Sequence, residues 1–556
     1  MHGRIVLALS IAACACAGAP FVARLALPHG AEPATARITE AVLREVVAEI
    51  SSDAYQGRAP GSTGDTQTRA WLEARMRALG LAPGAADGSY QQRFAMIGMT
   101  AQLPAQWSFR RPDGALAFQR LADFVGVSGK QIGRVSLAQS EVVFVGYGML
   151  APEYDWNDYK DVDVRGRTVV ILNNDPDWDP ALFAGKRRLY YGRWDYKYEE
   201  AARHGAAAAI IIHTDDSAGY PWQVVQRSWG AEQFGLPAGD GPSLDVRAWL
   251  TESAARELAG FGGQDLARLV SAARSREFRP VALGVSTSLE LPNALREIES
   301  ANVLAKLPGR DPARQGELVV FSAHHDHLGV GDPDANGDRI HNGAVDNASG
   351  VATVVAIAEA FAALPEPPRR SVLFAFVAAE EQGLLGSLYY CLHPTAPPGK
   401  LAANLNFDGA NILGRTRDVA VVGRGKSSLE DLLALAVAGQ ERVVIDEVFP
   451  EKGHYYRSDQ LSFARIGVPA LYFRSGVEVR GKPAGWGREQ LERWTATRYH
   501  QPSDELDAGW DLSGAVEDAR LGFLVGAAAA EADRMPSWRP GDEFEATRKA
   551  ALQAAR

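Results

Sequence analysis

The sequence predicts an α/β protein built around a largely parallel β-sheet. Beyond Asn302, short apolar segments alternate with helical segments along the chain. This alternation is typical of parallel strands sandwiched between helices. With 556 residues the chain is also too long for one compact core, so we expect two or three domains.

The N-terminus predicts export. Arg4 precedes an apolar stretch (5–13) that is too short to span a bilayer, and small residues follow it. Residues 11–14 resemble a bacterial lipobox, which would leave Cys14 lipidated and the protein anchored to the outer membrane. The alternative is a soluble exported protein, either periplasmic or secreted. We therefore expect the signal peptide within residues 1–19, with cleavage before Cys14 in a lipoprotein and at one of the Ala-x-Ala sites up to Ala19 in a soluble protein.

The next part of the chain predicts two further segments. Helices are expected at 38–50 and 66–79, around a break rich in glycine and proline. From 137 to 290 the chain contains many turns and aromatic residues and offers no cluster of ligand-type side chains, so we interpret it as a separate insert. Its predicted elements are strands at 142–146, 168–172 and 207–213 and a helix at 196–204.

Beyond Asn302 the predicted elements become regular. Short apolar runs indicate strands, and longer stretches with helical spacing indicate helices. The predicted strands are 317–322, 371–377, 403–407, 419–422 and 470–473, and the predicted helices are 348–363, 427–438 and 512–530.

Composition limits the classes of partner. The net charge is −10 and no basic run occurs, which argues against a nucleic-acid-binding protein. No second long apolar segment is present, so membrane contact is expected only through the N-terminal anchor. Cys391 is the only cysteine outside the N-terminal region, so no intramolecular disulfide is available.

Five side chains in the predicted α/β part form a candidate set of metal ligands. A further carboxylate, Glu380, is adjacent to one of them. Two histidines and three carboxylates form a hard, mixed N/O ligand set that suits a pair of divalent ions, most naturally zinc. The extra carboxylate is what hydrolysis needs, because a group must take a proton from the attacking water. The five residues are His324, Asp346, Glu381, Asp408 and His500.

The positions of these residues support a shared site. In a parallel sheet, ligands bind beyond the carboxyl ends of the strands. His324, Glu380, Glu381 and Asp408 each follow closely on a predicted strand. Asp326 shares a face with His324 in an extended segment, so its carboxylate is expected to accept a hydrogen bond from the second ring nitrogen of that histidine.

Other interpretations of single motifs stay open. The segment 323–327 also fits a polar turn with solvated histidines. Asp346 also fits a helix N-cap, for which aspartate is favoured. The segment 332–337 imitates the start of a calcium loop, but the twelfth position is Gly343 rather than glutamate, so we interpret it as a turn.

Taken together, five segments resemble the co-catalytic di-zinc exopeptidases, the family of the bacterial leucyl aminopeptidases, aminopeptidase Y and glutamate carboxypeptidase. GRAPGSTG at 57–64 is similar to the segment that precedes the catalytic part in that family, and 137–290 is similar to its protease-associated (PA) insert. The five segments are AHHDHLG (323–329), NGAVDNASG (342–350), AEEQGLLGS (379–387), NFDG (406–409) and YHQPSD (499–504).

The resemblance implies a fold and a division into domains. The expected fold is a three-layer sandwich around a mixed, mostly parallel sheet, with an inserted β-rich PA domain. The expected domains are an N-terminal part of the peptidase domain at 38–136, the insert at 137–290, the catalytic domain at 291–535 and a C-terminal tail at 536–556.

The resemblance also implies roles for the site residues. Two zinc ions are expected per chain, with Asp346 bridging them and with a cis peptide bond after it. Glu380 would be the general base and later the acid, and Tyr499 would hydrogen-bond the developing oxyanion. Val345 departs from the family pattern, which often has a second aspartate there. One zinc would take His324, Asp346 and Asp408, and the other Asp346, Glu381 and His500.

The expected activity is that of an exported aminopeptidase acting on peptides. A carboxypeptidase or dipeptidase on the same scaffold is the alternative, because Arg457, Arg474 and Arg498 stand near the predicted site and arginine binds carboxylates. A receptor-like ectodomain without catalysis is a third interpretation. Asp459 is a candidate substrate contact, although a helix cap explains it equally well. The sequence gives no indication of oligomeric state.

Overall fold

A computed structural model describes residues 25–179 and 181–555. The predicted signal peptide and Cys14 lie outside the described residues. Twenty-one strands are described: β1 (Ala82–Pro83), β2 (Gln91–Ala101), β3 (Gln106–Arg111), β4 (Gly114–Gln119), β5 (Phe124–Ser128), β6 (Arg134–Phe144), β7 (Leu150–Ala151), β8 (Trp156–Asn157), β9 (Thr168–Leu172), β10 (Ala208–His213), β11 (Gln233–Gly235), β12 (Val246–Thr251), β13 (Val281–Leu307), β14 (Leu318–His324), β15 (Gly329–Val330), β16 (Ile340–His341), β17 (Ser371–Val377), β18 (Leu401–Asn406), β19 (Asp418–Val422), β20 (Val443–Asp446) and β21 (Ala470–Ser475).

The structure also describes fifteen α-helices. In chain order they are α1 (Ala31–Ala34), α2 (Glu40–Ile50), α3 (Thr63–Ala78), α4 (Trp194–Arg203), α5 (Asp215–Ala218), α6 (Trp222–Gly230), α7 (Glu252–Phe261), α8 (Leu266–Ala272), α9 (Gly350–Ala362), α10 (Leu385–Leu392), α11 (Leu429–Ala438), α12 (Gln460–Arg465), α13 (Trp486–Thr497), α14 (Ser513–Glu531) and α15 (Glu545–Ala554).

The main sheet has a parallel centre and antiparallel edges. β14 lies between β17 and β18, and β21 lies beside β18, all four running in the same direction. On one side β13 and β2 continue the sheet antiparallel, and on the other side β19 pairs antiparallel with β21. The predicted mixed sheet with a parallel centre is confirmed.

Three layers result from the alternation of buried side chains along the central strands. Successive residues of a strand point to opposite faces, so a run that is apolar throughout needs cover on both. One face packs against α9, α14 and α2, and the other against α10 and α12. On the first face lie Val319, Phe321, Val372 and Phe374, and on the second lie Val320, Leu373 and Ala375 together with Tyr390 and Phe463.

The segment Ala344–Ala362, which contains α9, is long and apolar enough to cross a membrane, but 94% of its apolar window is buried inside the protein. A helix that is hydrophobic all round and enclosed by other elements is the core helix of a folded domain. It packs against β14 on one side and α14 on the other.

A second sheet lies mostly within residues 137–290, and β13 connects it to the main sheet. The N-terminal half of β13 pairs with β6 and β3, and its C-terminal half pairs with β2 and β17. Within the second sheet β6, β9, β10 and β12 run parallel, and β5 closes the edge antiparallel. This sheet takes strands from Gln106 onward, ahead of the predicted start of the insert at 137.

The C-terminal tail packs against the catalytic part. Trp538 Nε1 donates to the carbonyl of Gly467 at 2.9 Å. The guanidinium of Arg548, in α15, donates to the carbonyls of Leu401 and Pro398 at 2.9 and 3.0 Å. These contacts reach the amino end of β18, opposite the edge where its carboxyl end lies.

Candidate metal centre

The candidate ligands meet at the carboxyl edge of the main sheet. His324 is the last residue of β14, and its backbone lies level with Val377 at the end of β17. Glu380 and Glu381 follow shortly after β17, and Asp408 follows shortly after β18. Parallel strands end at the same edge, so their register brings these side chains together.

Asp346 lies between His324 and His500, the two histidines of the predicted ligand set. Its Oδ1 lies 3.3 Å from His324 Nε2, and its Oδ2 lies 3.2 Å from His500 Nε2. His324 Nε2 is also 3.4 Å from Asp408 Oδ1, and His500 Nε2 is also 3.1 Å from Glu381 Oε2. The five predicted ligands therefore form two groups that share one carboxylate.

These separations fit two divalent cations. Zinc–ligand bonds of 2.0–2.1 Å in a tetrahedron place neighbouring ligand atoms about 3.3 Å apart. The Nε2 atoms of His324 and His500 are buried and have no hydrogen-bond partner among the described residues. A buried polar atom without a partner is costly, and a cation in each group would supply the missing partner. The N/O donor set is the type that zinc takes.

His327 joins the second group by a shorter contact. Its Nδ1 lies 2.7 Å from Glu381 Oε1, which is a hydrogen-bond distance and shorter than the tetrahedral spacing of about 3.3 Å. Glu381 therefore presents one oxygen to His327 and the other to His500. His327 is fully buried, so the contact is shielded from water. The geometry is that of an imidazole N–H donating to a carboxylate.

Asp326 holds the turn that carries Glu380 and Glu381. Its Oδ1 accepts from the backbone N–H of Glu380 at 3.1 Å, and its Oδ2 accepts from that of Glu381 at 3.3 Å. The predicted bond to His324 differs from the structure, because His324 Nδ1 lies nearer to the backbone carbonyl of Asp326, at 3.3 Å, than to the carboxylate, at 3.6 Å. The two carboxylate oxygens instead accept the backbone N–H groups of Glu380 and Glu381.

The backbone around Asp346 is fixed from two sides. Both oxygens of Asp504 accept backbone N–H groups, those of Val345 and Asp346, at 3.0 Å each. The peptide bond between Asp346 and Asn347 is cis, as the resemblance implied. The Asn347 side chain donates to the Phe407 carbonyl at 3.0 Å. These bonds connect the loop of the shared carboxylate to the end of β18.

The two adjacent glutamates have opposite pKa shifts. Desolvation raises the pKa of Glu380 well above its ordinary value, and the charges of Glu381 and Asp408 raise it further, against the opposing effect of His324. Although desolvation raises the pKa of Glu381 as well, the nearby His500 and the hydrogen bond from His327 lower it to about 2. One carboxyl group thus favours its protonated form and its neighbour favours the charged form.

Tyr499 and Asp459 lie at different depths. Tyr499 is 39% exposed and stacks on the His500 ring at 3.9 Å, which places it on the rim of the site. Asp459 is fully buried at the start of α12, and desolvation raises its pKa to about 7. Its carboxylate makes no helix-cap hydrogen bond, which contradicts the interpretation of Asp459 as a simple cap. The predicted substrate contact of Asp459 stays a prediction.

The three arginines of the carboxylate-binding alternative differ in their contacts. Arg474 donates to the backbone carbonyl of Asp408 at 3.3 Å, so its guanidinium borders the first group of ligands. Arg498 donates to the carbonyl of Ser503 at 3.3 Å. Arg457 is exposed on the segment before Asp459.

The sequence analysis did not predict the contacts of His327 and Asp504 with the site. Both residues lie inside segments that it singled out, namely AHHDHLG and YHQPSD. The sequence pattern identified the segments, but it did not predict which neighbouring groups each side chain contacts. The tertiary fold decides those contacts.

Comparison with known proteins points to one family. The model of "Peptidase family M28" matches residues 302–524. The chain is 28% identical over 213 residues to leupeptin-inactivating enzyme 1 of Streptomyces exfoliatus, covering 37% of this chain and 43% of that protein. It is 32% identical over 136 residues to the vacuolar membrane protease of Saccharomyces cerevisiae strain YJM789, covering 24% of this chain and 12% of that protein. The chain therefore spans less than half the length of either curated relative.

Among solved structures, an aminopeptidase from Aneurinibacillus sp. strain AM-1 superposes with a TM-score of 0.49 at 17% sequence identity, covering 92% of this chain and 97% of that one. The family match begins just before the end of β13 and ends within α14, so it includes every residue of the two ligand groups. Residues 302–524, which carry both ligand groups, therefore resemble peptidase family M28.

Proposed function

We propose that the protein is an exported zinc aminopeptidase that removes N-terminal residues from peptides. The single observation that carries the proposal is the position of Asp346, whose two oxygens face His324 at 3.3 Å and His500 at 3.2 Å. One zinc ion would be held by His324, Asp346 and Asp408, and the other by Asp346, Glu381 and His500. When bound, the pair would polarise the scissile carbonyl and lower the pKa of a water molecule.

The residues of the chain would supply the proton transfers. Glu380 is the group proposed to take the proton of the attacking water and to pass it to the leaving amine. Its raised pKa supports this role, because a higher pKa makes the charged carboxylate a stronger proton acceptor. Asp326 would keep Glu380 in position through the bond to its backbone N–H at 3.1 Å.

Tyr499 is proposed to stabilise the oxygen that becomes negatively charged. Its phenol stands on the exposed rim, beside the ring of His500. Desolvation raises the pKa of the phenol, so it keeps its proton at neutral pH and donates a hydrogen bond. The phenol would act as a preorganised donor beside the ligand set.

The insert is proposed to border the cleft and to restrict it to short peptides, as the resemblance to a PA domain implies. Three contacts support this placement. The N–H of Arg188 donates to the carbonyl of Pro450 at 3.4 Å, the Tyr190 and Tyr456 rings lie 6.4 Å apart, and Arg465 pairs with Glu199 at 2.7 Å. Deletion of 106–290, which removes the second sheet and spares the pairing of β2 with β13, should change which peptide lengths are cleaved, and an unchanged length profile would refute this role.

A carboxypeptidase or dipeptidase is the second candidate, because the guanidinium of Arg474 borders the ligands and Arg457 is exposed nearby. Purified full-length protein should be assayed with an amino-acid anilide and with an N-blocked dipeptide, each with and without a zinc chelator. The proposal expects chelator-sensitive release of the anilide. Cleavage of the blocked dipeptide alone would reject the aminopeptidase and favour the alternative.

Export is proposed from the N-terminal sequence, either as a lipoprotein modified at Cys14 or as a soluble protein. Metabolic labelling of the parent chain and of a Cys14→Ser variant with a fatty-acid analogue separates the two, because only a lipoprotein takes up the label and it does so through Cys14. Label in the parent that is absent from the variant supports lipidation, and no label in either supports soluble export.

A further inference from the structure

The segment GRAPGSTG at 57–64 supplies none of the proposed ligands, yet Arg58 within it is 1% exposed. Its guanidinium donates to four backbone carbonyls. Nε donates to His325 at 2.9 Å, and the terminal nitrogens donate to Ile50, Asn342 and Gly343 at 2.8, 2.6 and 3.0 Å. A side chain this polar is buried only where its donors find partners, and here the partners are all main-chain oxygens.

Three of these carbonyls belong to the two loops that carry proposed ligands. His325 directly follows His324, and Asn342 and Gly343 lie just before Asp346. The backbone of Arg58 adds a further bond, because its carbonyl accepts the N–H of His327 at 3.4 Å. One side chain therefore joins the loop of His324 to the loop of the shared carboxylate.

The local backbone explains why a glycine precedes Arg58. A Cβ atom on Gly57 would lie 2.5 Å from the carbonyl oxygen of His341 and 2.6 Å from that of Gly329. Gly57 also has a φ of 65°, which side chains disfavour. Only a glycine allows this segment to approach the ligand loops closely enough for Arg58 to reach their carbonyls.

The charge of Arg58 is not used in an ion pair. Among the described residues no carboxylate lies within 4.0 Å of its guanidinium, although the charges of Asp326, Asp504 and Asp346 act on it. Burial lowers the pKa of Arg58 to about 10, which those carboxylates counteract, so it stays protonated at neutral pH. The donors are therefore free to bind the carbonyls of the loops.

We propose that Arg58 is a positioning residue of the metal centre, which sets the separation of His324 and Asp346 by holding the loops that carry them. This inference rests on the proposed two-zinc site. Positioning by Arg58 and the positive charge of Arg58 predict opposite changes in zinc affinity when this residue is removed. A buried cation repels bound zinc, so if charge dominated, removal of Arg58 would strengthen zinc binding. If positioning dominates, removal weakens it.

Arg548 provides a matched control. It is 3% exposed, burial lowers its pKa to about 10, and it also donates to backbone carbonyls. Those carbonyls belong to Leu401 and Pro398, at the amino end of β18 and away from the ligands. Loss of Arg548 should therefore destabilise the fold without acting on the metal centre.

The test compares the full-length parent chain with its Arg58→Met, Arg58→Lys and Arg548→Met variants. Chelator competition measures the zinc dissociation constants of each protein. Thermal unfolding of each metal-free protein measures stability in parallel. Arg58→Met is expected to raise at least one dissociation constant about 10- to 100-fold, the usual effect of losing a group that orients a ligand. Arg58→Lys, which keeps the charge with fewer donors, should fall between it and the parent. Arg548→Met should lower the melting temperature and leave zinc affinity unchanged.

An Arg58→Met protein that binds zinc as tightly as the parent, or more tightly, overturns the inference. If Arg58→Met does not fold, Arg58→Lys decides the matter, because it should still bind zinc more weakly than Arg548→Met does. A parent chain that binds no zinc would instead refute the proposed function, and the inference with it. Zinc binding by the parent chain thus distinguishes failure of the Arg58 inference from failure of the proposed function.

Discussion

His500 Nε2 lies 3.2 Å from Oδ2 of Asp346, although the two residues belong to distant parts of the chain. The other oxygen of Asp346 faces His324 at 3.3 Å. A single carboxylate thus connects the end of β14 to the segment after α13. Asp346 is therefore common to both groups of predicted ligands.

The first prediction concerns Glu380. Glu380→Gln removes the proton acceptor while keeping the shape of the side chain, so turnover should fall by about 10²- to 10⁴-fold or more. The neighbouring ligands are untouched, so zinc content should equal that of the parent chain. Steady-state kinetics and metal analysis on the same preparation check both points. Near-parental turnover in this variant would show that another group accepts the proton.

The second prediction concerns Asp346. Asp346→Ala should lose zinc from both groups, because the same carboxylate contributes to each. Stability should fall with it, since binding free energy of a metal to the folded state is folding free energy. Zinc content and the melting temperature in the presence of zinc are the measurements. Asp113→Ala, an exposed acidic residue far from the site, serves as control and should change neither. An Asp346→Ala chain with full zinc content would show that the shared ligand lies elsewhere.

The third prediction distinguishes a hydrogen bond from a metal bond at His327. The Nδ1 of His327 lies 2.7 Å from Glu381, and asparagine places an N–H close to that position. If His327 orients Glu381, His327→Leu should weaken zinc binding about 10- to 100-fold, and His327→Asn should recover most of the loss. Chelator competition measures both. Equal weakening in the two variants would argue that the ring itself binds the metal.

The fourth prediction concerns the C-terminal tail. Lys426 is buried and pairs with Asp542 at 2.9 Å and with Glu543 at 2.8 Å. Lys426→Met leaves both carboxylates without their partner, so the free energy of unfolding should fall by about 3–5 kcal/mol. Urea denaturation measures the change.

The control for that prediction is the exposed pair of Lys549 and Glu545 on α15, where the lysine side chain is 64% exposed. Lys549→Met should change the free energy of unfolding by less than about 0.5 kcal/mol, because solvent screens exposed pairs. Equal losses in the two variants would contradict a special role for the buried pair.

The sequence was sufficient for the central strands and for the edge where the site forms. The run 372–377 is apolar throughout and the structure has β17 over Ser371–Val377, so the acids after it could be assigned to a strand end. The strand before His324 and the strand before Asp408 were found for the same reason. A buried parallel strand leaves a strong signal because both of its faces are covered.

The long strand β13 could not be predicted in the same way. Its central residues, 293–297, are mostly exposed where it crosses from one sheet to the other, so the alternation of apolar residues is interrupted. The roles of Arg58 and His327 were also beyond the pattern. Each depends on which way a side chain turns from an irregular segment, and only the contacts of the folded chain decide that.

The most direct measurement is a crystal structure of the zinc-loaded full-length protein, with anomalous scattering recorded at the zinc edge. Two zinc peaks are expected on either side of the Asp346 carboxylate, one beside His324 and Asp408 and the other beside Glu381 and His500. A single peak that excludes Asp346, or no peak at this edge of the sheet, would contradict the proposed two-zinc site.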